Sequence, residues 1–313
     1  MRLKIIGSAA GGGFPQWNCN YRLSRAARAG ADGVRPRTQS SLIASADGDG
    51  WVLFNASPDI RQQIAATPEL QPRVDGPIRT TPIRAVVLTN GDVDHVAGLL
   101  SLRERQPFAL YAATDVLDVL AQNSIFNVLD PALVPRRPLP LGQTIALQDA
   151  EGRDTGLAVE AFAVPGKVAL YLEDSSDPQA DFGSDSGDTI GVRIAERDRA
   201  DTAAFYIPGC ARVNEALGQR LADAACLLFD GTLYTDDEMI AAGVGRKTGR
   251  RMGHISMEGE NGAVASLAGI ALGRRIFVHI NNTNPVLDEN SPEHARIRAA
   301  GWEIAYDGLE LEL

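Results

Sequence analysis

Short apolar runs separated by polar turns recur along the chain, and they are of two kinds. Compact runs rich in β-branched and aromatic residues predict strands at 3–6, 41–44, 51–54, 85–88, 157–164, 190–194, 203–207, 226–229 and 275–280. Runs with helical spacing predict helices at 58–66, 96–104, 115–122, 214–223, 262–272 and 292–300. The two kinds alternate instead of segregating, which predicts a layered α/β architecture. No internal repeat and no linker rich in Pro, Gly or Ser divides the chain. Residues 1–313 are therefore expected to form a single domain.

The polar residues that end these runs carry the candidate chemistry. The apolar run Ala85-Val86-Val87-Leu88 leads into Thr89-Asn90-Gly91-Asp92-Val93-Asp94-His95 and then into an apolar stretch of helical spacing. Asp92, Asp94 and His95 thus fan out where a buried strand gives way to a helix. Three ionisable groups packed at an apolar strand end are costly without a cation or solvent. Carboxylate and imidazole ligands on rigid elements suit a divalent metal.

Later strand ends add Asp230, after Leu227-Leu228-Phe229, and His279, after Ile276-Phe277-Val278; His254 lies between them. In layered α/β folds, ligands gather beyond the carboxyl ends of strands. Taken singly, Asp230 fits a turn or cap, His254 a turn, and His279 a hydrogen-bonded core position. Their convergence with Asp94 and His95 depends on the fold. His294, on a helix expected at the surface, is given no role.

Composition narrows the picture. With 44% apolar and 22% charged residues the chain can bury a substantial core. A net charge of −10 and dispersed basic residues argue against a nucleic-acid surface. The short basic stretch from Arg246 to Arg251 is expected on a loop. No run is apolar enough to span a membrane, and the N-terminal apolar run is too short for a signal peptide, so a cytoplasmic protein is expected. Three cysteines at wide spacing make no disulfide framework, and Cys210 and Cys226 are expected to be small buried residues. The acidic stretch from Glu173 to Asp188 does not follow a calcium-loop spacing and is expected to be a solvated loop.

The string Asn90-Gly91-Asp92-Val93-Asp94-His95 resembles a degenerate form of the H-x-H-x-D-H signature of the metallo-β-lactamase superfamily. A Pro165-Gly166-Lys167 turn, a strand-end Asp230 and a late strand-end His279 follow in the order of that superfamily, and Gly253-His254-Ile255-Ser256 is similar to a turn of its RNase Z branch. The resemblance implies a four-layer αβ/βα sandwich with the site at its edge. It also implies a departure: Asn90, Asp92 and Lys167 stand where the first metal takes histidines, whereas Asp94, His95, Asp230 and His279 match the second position. One divalent metal is expected, held by Asp94, His95, Asp230 and His279.

Within the superfamily the chain resembles the PqqB family of pyrroloquinoline quinone (PQQ) biosynthesis. The segments that carry this likeness run from residues 7–20 through 38–41, 55–59 and 90–95 to 279–285, and so span nearly the whole chain. Family members commonly carry a C-x-C-x-x-C cluster suited to a structural zinc. Here only Cys19 remains, with Tyr21 and Ser24 in the other places. No structural zinc is expected at Cys19, because one thiolate cannot close such a site. Packing by Phe14, Trp17 and Tyr21 is expected to take its place.

Two imidazoles and a carboxylate suit both iron oxygenases and zinc hydrolases. The family resemblance favours Fe(II) over Zn(II) and implies an oxygen-dependent hydroxylation of a tyrosine-containing (Glu–Tyr) unit derived from a small peptide. On that reading Asp230 is a fourth ligand or a nearby hydrogen-bond acceptor. His254 is expected to move a proton near the substrate, and Asp92 to orient a ligand or a bound water. Two other classes stay open: a single-metal hydrolase of the same pathway, and a soluble carrier of PQQ or its precursor towards the periplasm. A homodimer is compatible with each.

Overall fold

The computed structural model describes residues 1–167, 182–184 and 187–313. Two seven-stranded sheets face each other. The first runs, in spatial order, Glu310–Glu312, Arg2–Gly7, Ser41–Ser45, Trp51–Phe54, Ile83–Val87, Ala109–Ala112 and Arg136–Pro138. The second runs Glu303–Ile304, Leu272–Val278, Ala224–Asp230, Arg199–Ile207, Ile190–Glu196, Asp154–Ala163 and Thr144–Gln148. Each sheet is antiparallel on one side and parallel on the other. Parallel strands need crossovers that cover their outer face, which is why Trp51–Phe54 is buried at every position.

Side-chain alternation divides the core into three. Val52, Phe54, Ala85 and Val87 of the first sheet meet Val192, Tyr206, Leu228 and Ile276 of the second in the middle. On the outer face of the first sheet, Leu53, Val86 and Leu110 pack under the helices Ile60–Ala66 and Thr114–Gln122 through Ile60, Val116 and Leu120. On the outer face of the second, Leu227, Phe229 and Phe277 pack under Glu215–Leu221, Ala263–Leu267 and Pro292–Ala299 through Leu217, Leu267 and Ile297. Helix, sheet, sheet, helix is the αβ/βα sandwich expected from the resemblance. Among the described residues, no helix is long and apolar enough to cross a membrane.

Several boundaries differ from the sequence reading. The helix expected at 96–104 starts earlier, at Val93, and from Ala97 to Leu102 is a tighter 3-10 turn. Here Gly98 presses so close to the chain that a Cβ would lie 2.1 Å from the Ser57 carbonyl. The helix expected at 262–272 stops at Leu267, and Leu272 opens a strand. Within that strand Gly273 lies close against its neighbour: a Cβ there would come 2.2 Å from the Ala225 carbonyl. The strands at Ala109–Ala112, Arg136–Pro138, Thr144–Gln148, Glu303–Ile304 and Glu310–Glu312 were not anticipated.

The basic stretch falls on a loop and the turn Arg250–Met252. Cys210 and Cys226 are buried, as expected. Around Cys19, Phe14 and Tyr21 pack into the core, but Trp17 does not: it is 85% exposed. The acidic residues Glu173, Asp174, Asp177, Asp181 and Asp185 lie outside the described residues.

Candidate metal centre

The site forms where strand ends of the two sheets meet. Strand Ile83–Val87 runs out into Asn90, whose side-chain oxygen accepts from the Asp92 backbone N–H at 2.9 Å. This turn starts the short helix Val93–Val96, which carries Asp94 and His95. The helix is moored to the first sheet: the His95 carbonyl accepts from Ala56 N–H, and Gly98 N–H donates to the Ala56 carbonyl, both at 2.8 Å.

From the second sheet, strand Ala224–Asp230 ends on fully buried Asp230, and strand Leu272–Val278 is followed by His279. His279 has a left-handed backbone (φ 55°) that few non-glycine residues adopt. Such a turn lifts the ring off the pleat of the strand and towards the first sheet.

The consequence is a compact cluster. Donor atoms of Asp94, His95 and His279 lie within 4.8 Å of one another. His279 Nε2 is 3.0 Å from Asp94 Oδ2, His95 Nε2 is 3.8 Å from the same oxygen, and the two rings meet edge to face with centroids 5.3 Å apart. Asp230, His254 and His279 make a second group of the same size, sharing His279. His254 stacks on His279 with centroids 5.1 Å apart.

Hydrogen bonds decide which group offers lone pairs. Asn90 Oδ1 already accepts from Asp92 N–H, so its amide is oriented, and His95 Nδ1, at 2.6 Å, must donate to it. His95 Nε2 is therefore unprotonated, and it is buried with no hydrogen-bond partner. An orphaned buried acceptor facing a carboxylate fits a divalent cation, which would accept electron pairs from both. Asp230 is differently placed. Its oxygens accept from Cys210 N–H at 2.9 Å, Thr232 N–H at 3.0 Å, Thr232 Oγ1 at 2.6 Å and His254 Nδ1 at 2.8 Å. Of the two roles expected for Asp230, this geometry is that of the hydrogen-bond acceptor.

The charges follow. Burial pushes the Asp94 carboxyl up, but its electrostatic interactions with the His95 and His279 rings and the hydrogen bond from His279 outweigh it and hold it well below the usual carboxylate range. Burial pulls His279 down, yet its hydrogen bond and attraction to Asp94 leave it above the ordinary histidine value. Burial dominates at His95, which is lowered and stays neutral. Asp92 lies outside both groups; its negative charge favours protonation of His95 and His279. Lys167 borders the His254 side, where its stem packs so tightly on Gly253 that a Cβ there would come within 2.9 Å. His294 is remote, bonding the Val286 carbonyl on its own helix approach.

Sequence reasoning grouped Asp94, His95, Asp230 and His279 as one ligand set with His254 nearby; the structure divides these donors into two groups that share His279. Sequence reasoning missed three contributors: the proton-holding role of Asn90, the Thr232 hydroxyl and the Cys210 amide. None had a sequence signal, because each acts through one hydrogen bond set by the fold.

Residues 50–280 match the model of the β-lactamase superfamily domain. Coenzyme PQQ synthesis protein B of Methylorubrum extorquens (strain PA1) is 55% identical over 313 residues, covering 100% of both chains. The protein of that name from Xanthomonas oryzae pv. oryzae (strain MAFF 311018) is 50% identical over the same span, again 100% of both chains. The crystal structure of Zn(2+)-bound PqqB from Methylobacterium extorquens superposes with a TM-score of 0.93 at 54% identity, covering 100% of both chains. By its sequence over its whole length and by its fold, the chain belongs to the PqqB family of the metallo-β-lactamase superfamily.

Proposed function

We propose that this protein binds one divalent cation through Asp94, His95 and His279 and serves PQQ synthesis as an iron- and oxygen-dependent hydroxylase of a tyrosine-containing (Glu–Tyr) precursor. The observation that carries the reading is the donor set itself: two imidazole nitrogens and one carboxylate oxygen within 4.8 Å, on rigid elements from two sheets. That set, with positions left open, is the facial triad of non-haem Fe(II) oxygenases. Bound iron supplies the redox chemistry that oxygen requires.

The chain's own residues bind and move protons. Asp230 holds the His254 Nδ1–H, which leaves Nε2 as the basic nitrogen. His254, 19% exposed beside the cluster, takes the phenolic proton of the substrate. Lys167, against Gly253, meets a substrate carboxylate. Asp92 biases the electrostatics of the two histidine ligands.

The relative's structure is described as zinc-bound, so metal-dependent hydrolysis is the second reading. The test uses protein purified without oxygen, loaded with Fe(II) or Zn(II), and given a Glu–Tyr dipeptide. A reductant supplies the two electrons needed when one oxygen atom enters the ring and the other leaves as water. Ring hydroxylation that requires both iron and oxygen is the expected result. Cleavage with zinc under nitrogen would point to the hydrolase, and tight PQQ binding without turnover, surviving His95→Ala, to a carrier. His279→Ala is expected to abolish metal binding, while His254→Ala keeps the metal and lowers turnover by about 10²–10⁴-fold. Equal metal content in the wild type and both variants would contradict the ligand assignment.

A further inference from the structure

We infer that Thr232 is a positioning residue: its hydroxyl fixes the His279 tautomer so that Nε2 is the atom presented to the cation. The inference rests on the cation site proposed above.

Thr232 is buried and stands two residues beyond the end of strand Ala224–Asp230. Its Oγ1 lies 2.6 Å from Asp230 Oδ1, 2.8 Å from His279 Nδ1 and 3.0 Å from His254 Nδ1. A hydroxyl carries one proton, and an ionised carboxylate can only accept. The shortest contact, to Asp230, has the length of an O–H···O⁻ bond, so the Thr232 proton belongs there. His254 has its own carboxylate partner in Asp230 Oδ2 at 2.8 Å and spends its Nδ1–H on it. His279 Nδ1 therefore faces a hydroxyl whose proton is committed elsewhere, and it must donate. In the metal-free protein Nε2 donates to Asp94 Oδ2 at 3.0 Å, so the proton a cation displaces is the one on Nε2, and the lone pair it frees lies on the side of His95.

A cation must displace the Nε2 proton with or without the hydroxyl, but the outcome differs. With it, the Nδ1–H that remains keeps its acceptor. Without it, a neutral His279 keeps its one proton on Nε2, where Asp94 accepts it, and cation binding strands a buried Nδ1–H. A simple turn-closing role would not do this. In that role the backbone N–H of Thr232, bonded to Asp230 at 3.0 Å, carries the turn, and a valine side chain leaves it in place.

The test compares wild type, Thr232→Val, Thr232→Ser and His95→Ala as full-length, metal-free proteins titrated with Co(II). Its visible absorption and a competing chelator give the affinity. Circular dichroism and thermal melting check the fold. Outer-shell partners of a metal-bound histidine are worth about 10–100-fold in affinity, so Thr232→Val should bind Co(II) that much more weakly and Thr232→Ser should recover most of the loss. Equal affinity of Thr232→Val and wild type, with His95→Ala impaired, would overturn the role of Thr232 and leave the cation site standing. Unimpaired binding by His95→Ala would remove the site itself. Should Thr232→Val not fold, wild type decides alone. Its Co(II) form should show two hyperfine-shifted, exchangeable imidazole N–H resonances, from Nδ1 of His95 and of His279, and a single one refutes the assignment.

Discussion

Asp94 and His279 are a charged pair whose proton a metal must remove. His279 lies above its ordinary value because Asp94 outweighs burial, so it holds a proton on Nε2 through the pH range just above 6.5. Cation binding expels that proton, and affinity should fall as pH drops below the raised value, by about tenfold per pH unit. Titrating Zn(II) or Co(II) across that range in buffers of differing protonation enthalpy checks both the slope and the proton release; a flat profile would mean that His279 binds through a nitrogen already free. In the metal-free protein the signs are fixed by the same pair. Stability from the lowered Asp94 is present above its unfolded value and lost as pH falls through the folded one. Stability from the raised His279 is present below its unfolded value and lost as pH rises through the folded one. Asp94 and His95 were legible in the sequence because they sit side by side after an apolar strand, and His279 and Asp230 because each ends one. Thr232 was not: a lone hydroxyl two residues past a strand has neither period nor charge to mark it.

Elements place these residues through close backbone contacts more than through propensity. The apolar run at Trp51–Phe54 read correctly as a strand because burial on both faces leaves an uninterrupted hydrophobic string. Edge strands such as Arg136–Pro138 and Glu310–Glu312 are three residues each and largely polar, too short for alternation to show. The helix bearing Asp94 and His95 was misplaced because its packing on the Ala56–Ser57 turn depends on Gly98, a role that composition does not reveal. A Cβ at Gly98 would stand 2.1 Å from the Ser57 carbonyl and 2.7 Å from that of Ala56, both backbone atoms that cannot step aside. Gly98→Ala should therefore lower the unfolding free energy by about 1–3 kcal/mol, as overpacking does. It should weaken metal binding too, because the Gly98 N–H and the His95 carbonyl bond the backbone C=O and N–H of the same residue, Ala56. Denaturant unfolding and Co(II) titration test the pair of effects; a stable variant with wild-type affinity would show that the turn yields without disturbing His95.

At the scale of the molecule the cation site is a seam. Asp94 and His95 come from the first sheet, His279, Asp230 and Thr232 from the second, so the spacing of the donors depends on how the sheets are tied together. One tie is the segment 305–309. Strand Glu303–Ile304 belongs to the second sheet and Glu310–Glu312 to the first, so the chain between them crosses from one to the other. Asp307 lies in that crossing. Its Oδ1 accepts from the Ser8 N–H at 2.9 Å and hydroxyl at 2.8 Å, and its Oδ2 accepts from the Thr38 N–H and hydroxyl, both at 2.7 Å. Ser8 in turn receives Ile280 N–H at its carbonyl, and Ala10 N–H donates back to the Ile280 carbonyl, one residue past His279. Gly11, next along, lies against the Asp94 carboxyl, where a Cβ would sit at 3.5 Å. Asp307 thus connects to both ends of the donor set without touching either. Asp307→Ala leaves four donors without their carboxylate and should cost about 2–4 kcal/mol, less than the sum of the bonds because water reaches some of them. The loop at 8–13 should exchange its amides faster, and metal affinity should fall by less than it does for Thr232→Val, since the ligand tautomers stay fixed. Hydrogen exchange on the metal-free variant, read beside its Co(II) affinity, separates a loosened seam from a damaged ligand: fast exchange confined to residues 8–13 with near-normal affinity is the expected pattern, and lost affinity with unchanged exchange would place Asp307 within the metal centre instead.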